Sequence, residues 1–252
     1  MHLIATVVKR LLLVAAALAV NTACAADVAS NAATLIDVPV GTGPFPAAVV
    51  APGQGYHMEL PAIQQTARAL VERGFVVYRF NWSYWVRQPK GAPSADLSVE
   101  VRDIQRVLAK ARADRRVDAK RVVVVGKSLG SLVAWLAFRA DASLLAAALL
   151  TPVCGEQVVG AGAPSAIAAN YPGLSQESRP VFFALGNIDP VCEPKVLYRY
   201  ASTAAGSVRI NVVSGDHGFN AATKDGASLA RNVGMVAAAT AEFAAQAEAA
   251  SR

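Results

Sequence analysis

One stretch, 122–138, constrains the fold more than any other. Four β-branched residues, Val122-Val123-Val124-Val125, run directly into Gly126-Lys127-Ser128-Leu129-Gly130, and an apolar helix-like pattern follows over 131–138. A short β-branched run bounded by glycine reads as a buried strand. Strand, Gly-x-Ser-x-Gly and helix in succession make a sharp turn that lifts a serine hydroxyl out at the top of a sheet. The glycines have a steric task, because neighbouring backbones pass too close for larger side chains. A helix N-terminus behind Ser128 would favour negative charge developing there.

The flanking chain supplies the rest of a layered fold. Strands are expected at 34–40 (an edge strand), 47–50, 75–80, 121–125, 146–150, 181–185 and 208–213. Helical patterns fall between them: 61–73, with Pro61 at its start and Gly74 past its end; a helix to about residue 115, capped by Asp96 or Ser98; a short one near 163–170; 194–201; and an Ala-rich helix closing the chain. The stretch 81–93 reads as an aromatic loop. Strands alternating with helices mean a mostly parallel sheet flanked by helices, an α/β fold. Function in such sheets gathers at the carboxyl ends of the strands. Four loops there stand out: 51–57, 126–130, 186–193 and 214–218.

The first residues read as an address. Lys9 and Arg10 precede an apolar run over 11–20, and Ala23-Cys24-Ala25 offers a small-residue cleavage pattern, so cutting is expected after Ala25 or Ala26. The expected organisation is a signal peptide over 1–26, a single domain over 27–252, and export to the periplasm or beyond. A retained anchor is the alternative, although the apolar run is short for a membrane span. Cys24 raises a lipoprotein reading, but Asn21-Thr22-Ala23 before it is a poor lipobox without the expected Leu. Losing Lys9 and Arg10 takes two positive charges from the formal +6 and leaves +4. The remaining basic residues are scattered, with no aromatic-interleaved motif for nucleic acid.

A serine hydroxyl needs a base to take its proton. The chain has three histidines. His2 lies in the leader, and His57 precedes the serine. His217 follows the last strand, in Ser214-Gly215-Asp216-His217-Gly218, and fits the order serine, acid, histidine. The favoured acid is Asp189, after the penultimate strand; Asp216 and Glu193 are the alternatives. Asp216 is also suited to holding the histidine loop through local hydrogen bonds. An oxyanion needs two backbone N–H donors. One is expected from Leu129, the other from Gln54 in Ala51-Pro52-Gly53-Gln54-Gly55-Tyr56, with Tyr56 second to it. Tyr56, Trp82 and Trp85, with Tyr84, are candidates to wall a substrate pocket; packing beneath a loop is the other reading. No cofactor or metal is expected. The histidines and cysteines left after leader removal make no familiar zinc pattern, and Lys127 is a weak phosphate-loop candidate, since no glycine stands five residues before it.

On Ala51-Pro52-Gly53-Gln54-Gly55, 75–81, Gly126-Lys127-Ser128-Leu129-Gly130-Ser131 and Gly215-Asp216-His217, the chain resembles the α/β-hydrolase superfamily. Within it, the chain is similar to the small dienelactone-hydrolase-like and KANL3/Tex30-like proteins. The resemblance implies an α/β-hydrolase fold with a short cap over 154–179, Ser128 as nucleophile, His217 as base and Asp189 as acid. It departs in having Pro52-Gly53 where a His-Gly start is common, and serine where dienelactone hydrolase has cysteine. Cys154 lies just past one expected strand and Cys192 just past the next, so a Cys154–Cys192 disulfide tying down the acid loop is expected. The expected function is a secreted, carboxylesterase-like serine hydrolase acting on a small-molecule ester or acyl substrate, with no nucleic-acid partner and no membrane span after leader removal. A non-catalytic binding protein and an acyl-peptide or amide hydrolase are the alternatives.

Overall fold

The computed structural model describes residues 34–88, 91–155 and 166–252. The expected leader, Cys24 and part of the expected cap (156–165) lie outside the described residues. The described strands are β1 (Thr34–Asp37), β2 (Phe45–Ala51), β3 (Val76–Phe80), β4 (Val117–Lys127), β5 (Ala147–Leu150), β6 (Val181–Gly186) and β7 (Val208–Val213). They form a sheet in the order β1-β3-β2-β4-β5-β6-β7. Every neighbouring pair is parallel except β1 with β3. The described helices are α1 (Pro61–Glu72), α2 (Ser83–Arg87), α3 (Ser98–Ala113), α4 (Leu129–Ala140), α5 (Ala166–Asn170), α6 (Pro194–Ala201) and α7 (Gly226–Ala249).

The valine run explains the layering. Successive side chains of a strand face opposite sides of its sheet. Val122 and Val124 therefore pack with Ile104 of α3, Leu132 and Trp135 of α4 and Leu197 of α6. Val123 and Val125 pack with Ile63 and Leu70 of α1 and with Val236 and Phe243 of α7. All four valines are buried, each contributing roughly 1.5–3 kcal/mol of hydrophobic stabilisation. A strand buried on both faces has no polar side to alternate, which is why this one reads as a continuous apolar run.

The chain leaves β2 for β3 by α1 on one face. It leaves β4 for β5 by α4 on the other face, moving in the opposite direction along the sheet. Between β2 and β4 the order therefore reverses, and a crevice opens at their carboxyl ends. Ala51 pairs there with Gly126.

Three local expectations are corrected. β1 is shorter than 34–40, ending at Asp37 before Pro39, a residue that cannot donate to a ladder. The expected aromatic loop contains α2, a single turn too short to leave a period in the sequence. Neither Asp96 nor Ser98 caps α3. Leu97 occupies that position with φ 57° and no side-chain cap, and Asp96 instead accepts the Ser98 N–H in a local turn.

Candidate active site

The site begins with a strained turn. Ser128 joins β4 to α4 with φ 52° and ψ −117°, a region that costs a non-glycine residue of order 1–3 kcal/mol. The glycines beside it make the turn possible. A Cβ on Gly126 would stand 2.0 Å from the Gly130 carbonyl oxygen, and one on Gly130 would stand 2.4 Å from that of Ala51. Two contacts hold the turn. The Ser128 N–H donates to the Leu150 carbonyl at 2.9 Å. On the other side, the Ser131 hydroxyl donates to the Ser128 carbonyl at 2.6 Å. With that proton committed, the Tyr171 hydroxyl, 2.8 Å away, donates to Ser131 Oγ and accepts the Val153 N–H at 2.8 Å. Burial pushes the Tyr171 phenol up, so it stays protonated for this duty.

Ser128, His217 and Asp189 come together at the crevice, from the ends of β4, β7 and β6. Ser128 Oγ and His217 Nε2 are 2.9 Å apart. His217 Nδ1 lies 3.0 and 2.9 Å from the two oxygens of Asp189. A carboxylate only accepts, so Nδ1 carries the proton and Nε2 is left to accept the serine hydroxyl. Asp189 is 2% exposed. It also accepts the N–H of Val191 at 2.8 Å and of Cys192 at 3.4 Å, which fixes its carboxylate independently of the histidine. The expected disulfide between Cys154 and Cys192 is present, with the two Cα atoms 4.6 Å apart.

The alternative acids are occupied elsewhere. Asp216 turns back into its own loop and accepts the N–H groups of Gly218 at 2.7 Å and Asn220 at 2.9 Å. Burial works to raise its pKa, but the donors from Asn220 and Gly218 prevail and hold the carboxyl below its ordinary value. Glu193 is exposed and pairs with Lys195 at 2.7 Å.

The loop after β2 lies against the serine. A Cβ on Gly53 would stand 3.3 Å from both the Lys127 carbonyl oxygen and Ser128 Cβ, so a larger residue here would press on the serine turn. The Tyr56 N–H donates to the Gly53 carbonyl at 3.3 Å and is spent in the turn. The aromatic candidates separate. Trp82 is 1% exposed, its indole N–H donating to the Pro52 carbonyl at 2.9 Å. This corrects the reading of Trp82 as a pocket wall: a ring sealed from solvent supports the loop from below. Tyr84 is likewise buried. Trp85 remains partly exposed, with its ring 5.9 Å from that of His57. Among the described residues no group of His, Cys, Asp or Glu side chains is arranged to hold a metal ion.

A family profile described as an alpha/beta hydrolase domain matches residues 46–245. The chain belongs to the alpha/beta hydrolase family. Its solved neighbours show the same fold at low sequence identity. Est1E from Butyrivibrio proteoclasticus, solved with ferulic acid bound, is 15% identical with a TM-score of 0.64, over 84% of this chain and 93% of that one. XC6422 from Xanthomonas campestris, described as an a/b serine hydrolase without a lid, is 20% identical with a TM-score of 0.59, over 83% and 86%. The esterase Est2 of Thermogutta terrifontis, with butyrate bound, is 19% identical with a TM-score of 0.58, over 80% and 86%. No curated protein matches the sequence.

Several residues that shape the site in this alpha/beta hydrolase carried little sequence signal. Tyr171 lies in a Gly/Ala/Pro/Ser-rich segment without periodicity, and Ser131 looks like one more small residue of α4. Arg79 looks like an out-of-place charge in a strand. In the structure it donates to both oxygens of Asp37, at 2.6 and 2.9 Å, and to the Met58 carbonyl at 2.9 Å. An arginine inside an otherwise apolar strand is the one hint that could have drawn attention to it.

Proposed function

We propose that this chain is a serine esterase that cleaves small carboxylic esters through a covalent acyl-enzyme. The observation that carries the reading is the unbroken hydrogen-bonded line from Ser128 Oγ through His217 to the buried Asp189. Ser128 Oγ attacks the ester carbonyl carbon while its proton passes to His217 Nε2. Asp189 stabilises the imidazolium without taking the proton. The tetrahedral oxyanion accepts hydrogen bonds from the Leu129 and Gln54 N–H groups, assisted by the N-terminus of α4. Collapse breaks the bond to the alcohol oxygen, which leaves with the proton from Nε2. Water, deprotonated by His217, then attacks the acyl-serine, and the carboxylic acid departs as Ser128 recovers its proton.

Within the family we place the chain beside the small dienelactone-hydrolase-like and KANL3/Tex30-like members, on the motif stretches around Gly53, Ser128 and His217. We also propose export, with a leader over 1–26 and one domain over 27–252. The Cys154–Cys192 bridge suits an oxidising compartment, and the amino-terminal sequence of the exported chain, expected to begin at Ala26 or Asp27, tests it.

A fluorophosphonate probe tests the chemistry. The wild type is expected to label and Ser128→Ala is not; label that persists in the variant, or a wild type that never labels, overturns the mechanism and leaves a binding protein on a hydrolase scaffold. A panel of aryl esters of graded acyl length, run beside the matching anilides, separates esterase from amidase.

A further inference from the structure

Lys127 is a buried cation that the proposed reaction does not use. It is 4% exposed, in a place where an apolar side chain would avoid the cost of desolvating a charge. Its ammonium donates to Thr151 Oγ1 at 3.2 Å and to the backbone carbonyl of His217 at 3.1 Å. It also lies over the Tyr56 ring at 5.0 Å and the Phe219 ring at 5.9 Å, within reach of cation–π attraction. Together these contacts reach three pieces of the site. Tyr56 belongs to the loop after β2, Thr151 to the end of β5, and His217 and Phe219 to the loop after β7. Two of these partners are themselves strained, Thr151 with φ 42° and Phe219 with φ 66°, so their neighbours must hold them there.

We propose that Lys127 is a positioning residue whose ammonium ties the histidine loop to the ends of β4 and β5 and so keeps His217 in reach of Ser128. This rests on the Ser128–His217–Asp189 reading. The titratable groups facing the ammonium are Asp189 after β6, Asp216 after β7 and the Tyr56 phenol after β2; the end of β5 presents only a hydroxyl. Burial lowers the Lys127 pKa to about 8, and attraction from Asp189 and Asp216 keeps it from falling further. Below that pH the charge is present. Above it the neutral amine still has N–H groups for Thr151 and His217, but its attraction to the carboxylates and the rings is gone, and the tie loosens.

The test is a pH profile of ester hydrolysis for wild type, Lys127→Met, Thr151→Val and Ser128→Ala. Wild-type kcat/KM is expected to fall severalfold as pH rises through about 8. Lys127→Met should lose kcat on the order of 100-fold, the scale of a misplaced catalytic group, with KM little changed and the inflection gone. Thr151→Val removes one acceptor of the charged form, keeps the ammonium, and should move the inflection to lower pH. A Lys127→Met enzyme with wild-type kcat and profile overturns the proposal. So does an unmoved inflection in Thr151→Val, which decides the matter even if Lys127→Met does not fold. Activity surviving in Ser128→Ala would instead overturn the catalytic reading on which the proposal stands.

Discussion

The two sides of the crevice are held by different chemistry. On the acid side, Asp189 is fixed by backbone N–H groups and by a covalent bridge three residues away at Cys192. On the side of the proposed oxyanion loop no covalent tie exists among the described residues. The loop after β2 hangs instead on side chains from β3 and the turn that follows it. Trp82 donates to Pro52, Asn81 accepts from Met58 at 2.8 Å, and Arg79, braced by Asp37, donates to the Met58 carbonyl. Apart from Asp189 and the two cysteines, the acid side is held by backbone N–H groups that any residue supplies, whereas the loop after β2 depends on three particular side chains. The acid side should therefore be sensitive to redox conditions and tolerant of nearby substitutions, and the oxyanion side the reverse.

The largest effect should come from the acid itself. Asp189→Asn keeps the volume but removes the charge and the tautomer preference, and kcat is expected to drop about 10⁴-fold, read by steady-state kinetics on an aryl ester; a loss of less than tenfold would mean the acid lies elsewhere. Breaking the bridge comes next. The paired Cys154→Ser and Cys192→Ser substitutions should lower unfolding free energy by roughly 2–4 kcal/mol and reduce kcat with it, while reductant should act on the wild type and leave the double variant unchanged. On the other side, Trp82→Phe keeps an aromatic ring but strands the buried Pro52 carbonyl, at about 1–3 kcal/mol. Denaturant melts should show that loss, and reductant should not add to the variant's own effect on kcat beyond what it does to the wild type. Equal redox sensitivity of both loops would break the comparison.

The smallest effect expected is in acid. Asp216 has a folded pKa below its ordinary 3.8, so its contribution to stability is complete above that value and is lost as pH falls through the lower folded value. Asp216→Asn should therefore narrow the gap to wild type in acid melts below about pH 4, and a gap that stays constant with pH would assign Asp216 no charge-dependent role.

Where the sequence could be read, a single physical pattern was strong enough to stand without tertiary information. The valine run is apolar on every residue because both faces are buried, and glycine at 126 and 130 is obligatory because of backbone clashes, so strand, turn and helix are visible in the letters. Chain order on such a sheet points to His217 as the partner of Ser128 and leaves Asp189 ranked ahead of Asp216 and Glu193. The aromatic residues show the limit. Trp82 and Trp85 are the same letter three positions apart, and composition cannot say that one ring is sealed beneath a loop while the other meets solvent. Lys127 and Tyr171 were opaque for a related reason: their roles exist only between segments far apart in sequence. The turn α2 is too short for a period, and the α3 cap was misassigned because Asp96 spends its carboxylate on a local turn.

The link from Val153 through Tyr171 and Ser131 to the Ser128 carbonyl bears on redesign. A protein engineer seeking new selectivity would exchange the connection between β5 and β6, since it can vary without touching the sheet. Here that segment also carries the phenol that braces the serine turn from outside. A graft that omits an equivalent of Tyr171 would change the shape of the nucleophile's turn as well as the shape of the pocket, and its loss of rate would be mistaken for a poor fit to the new substrate.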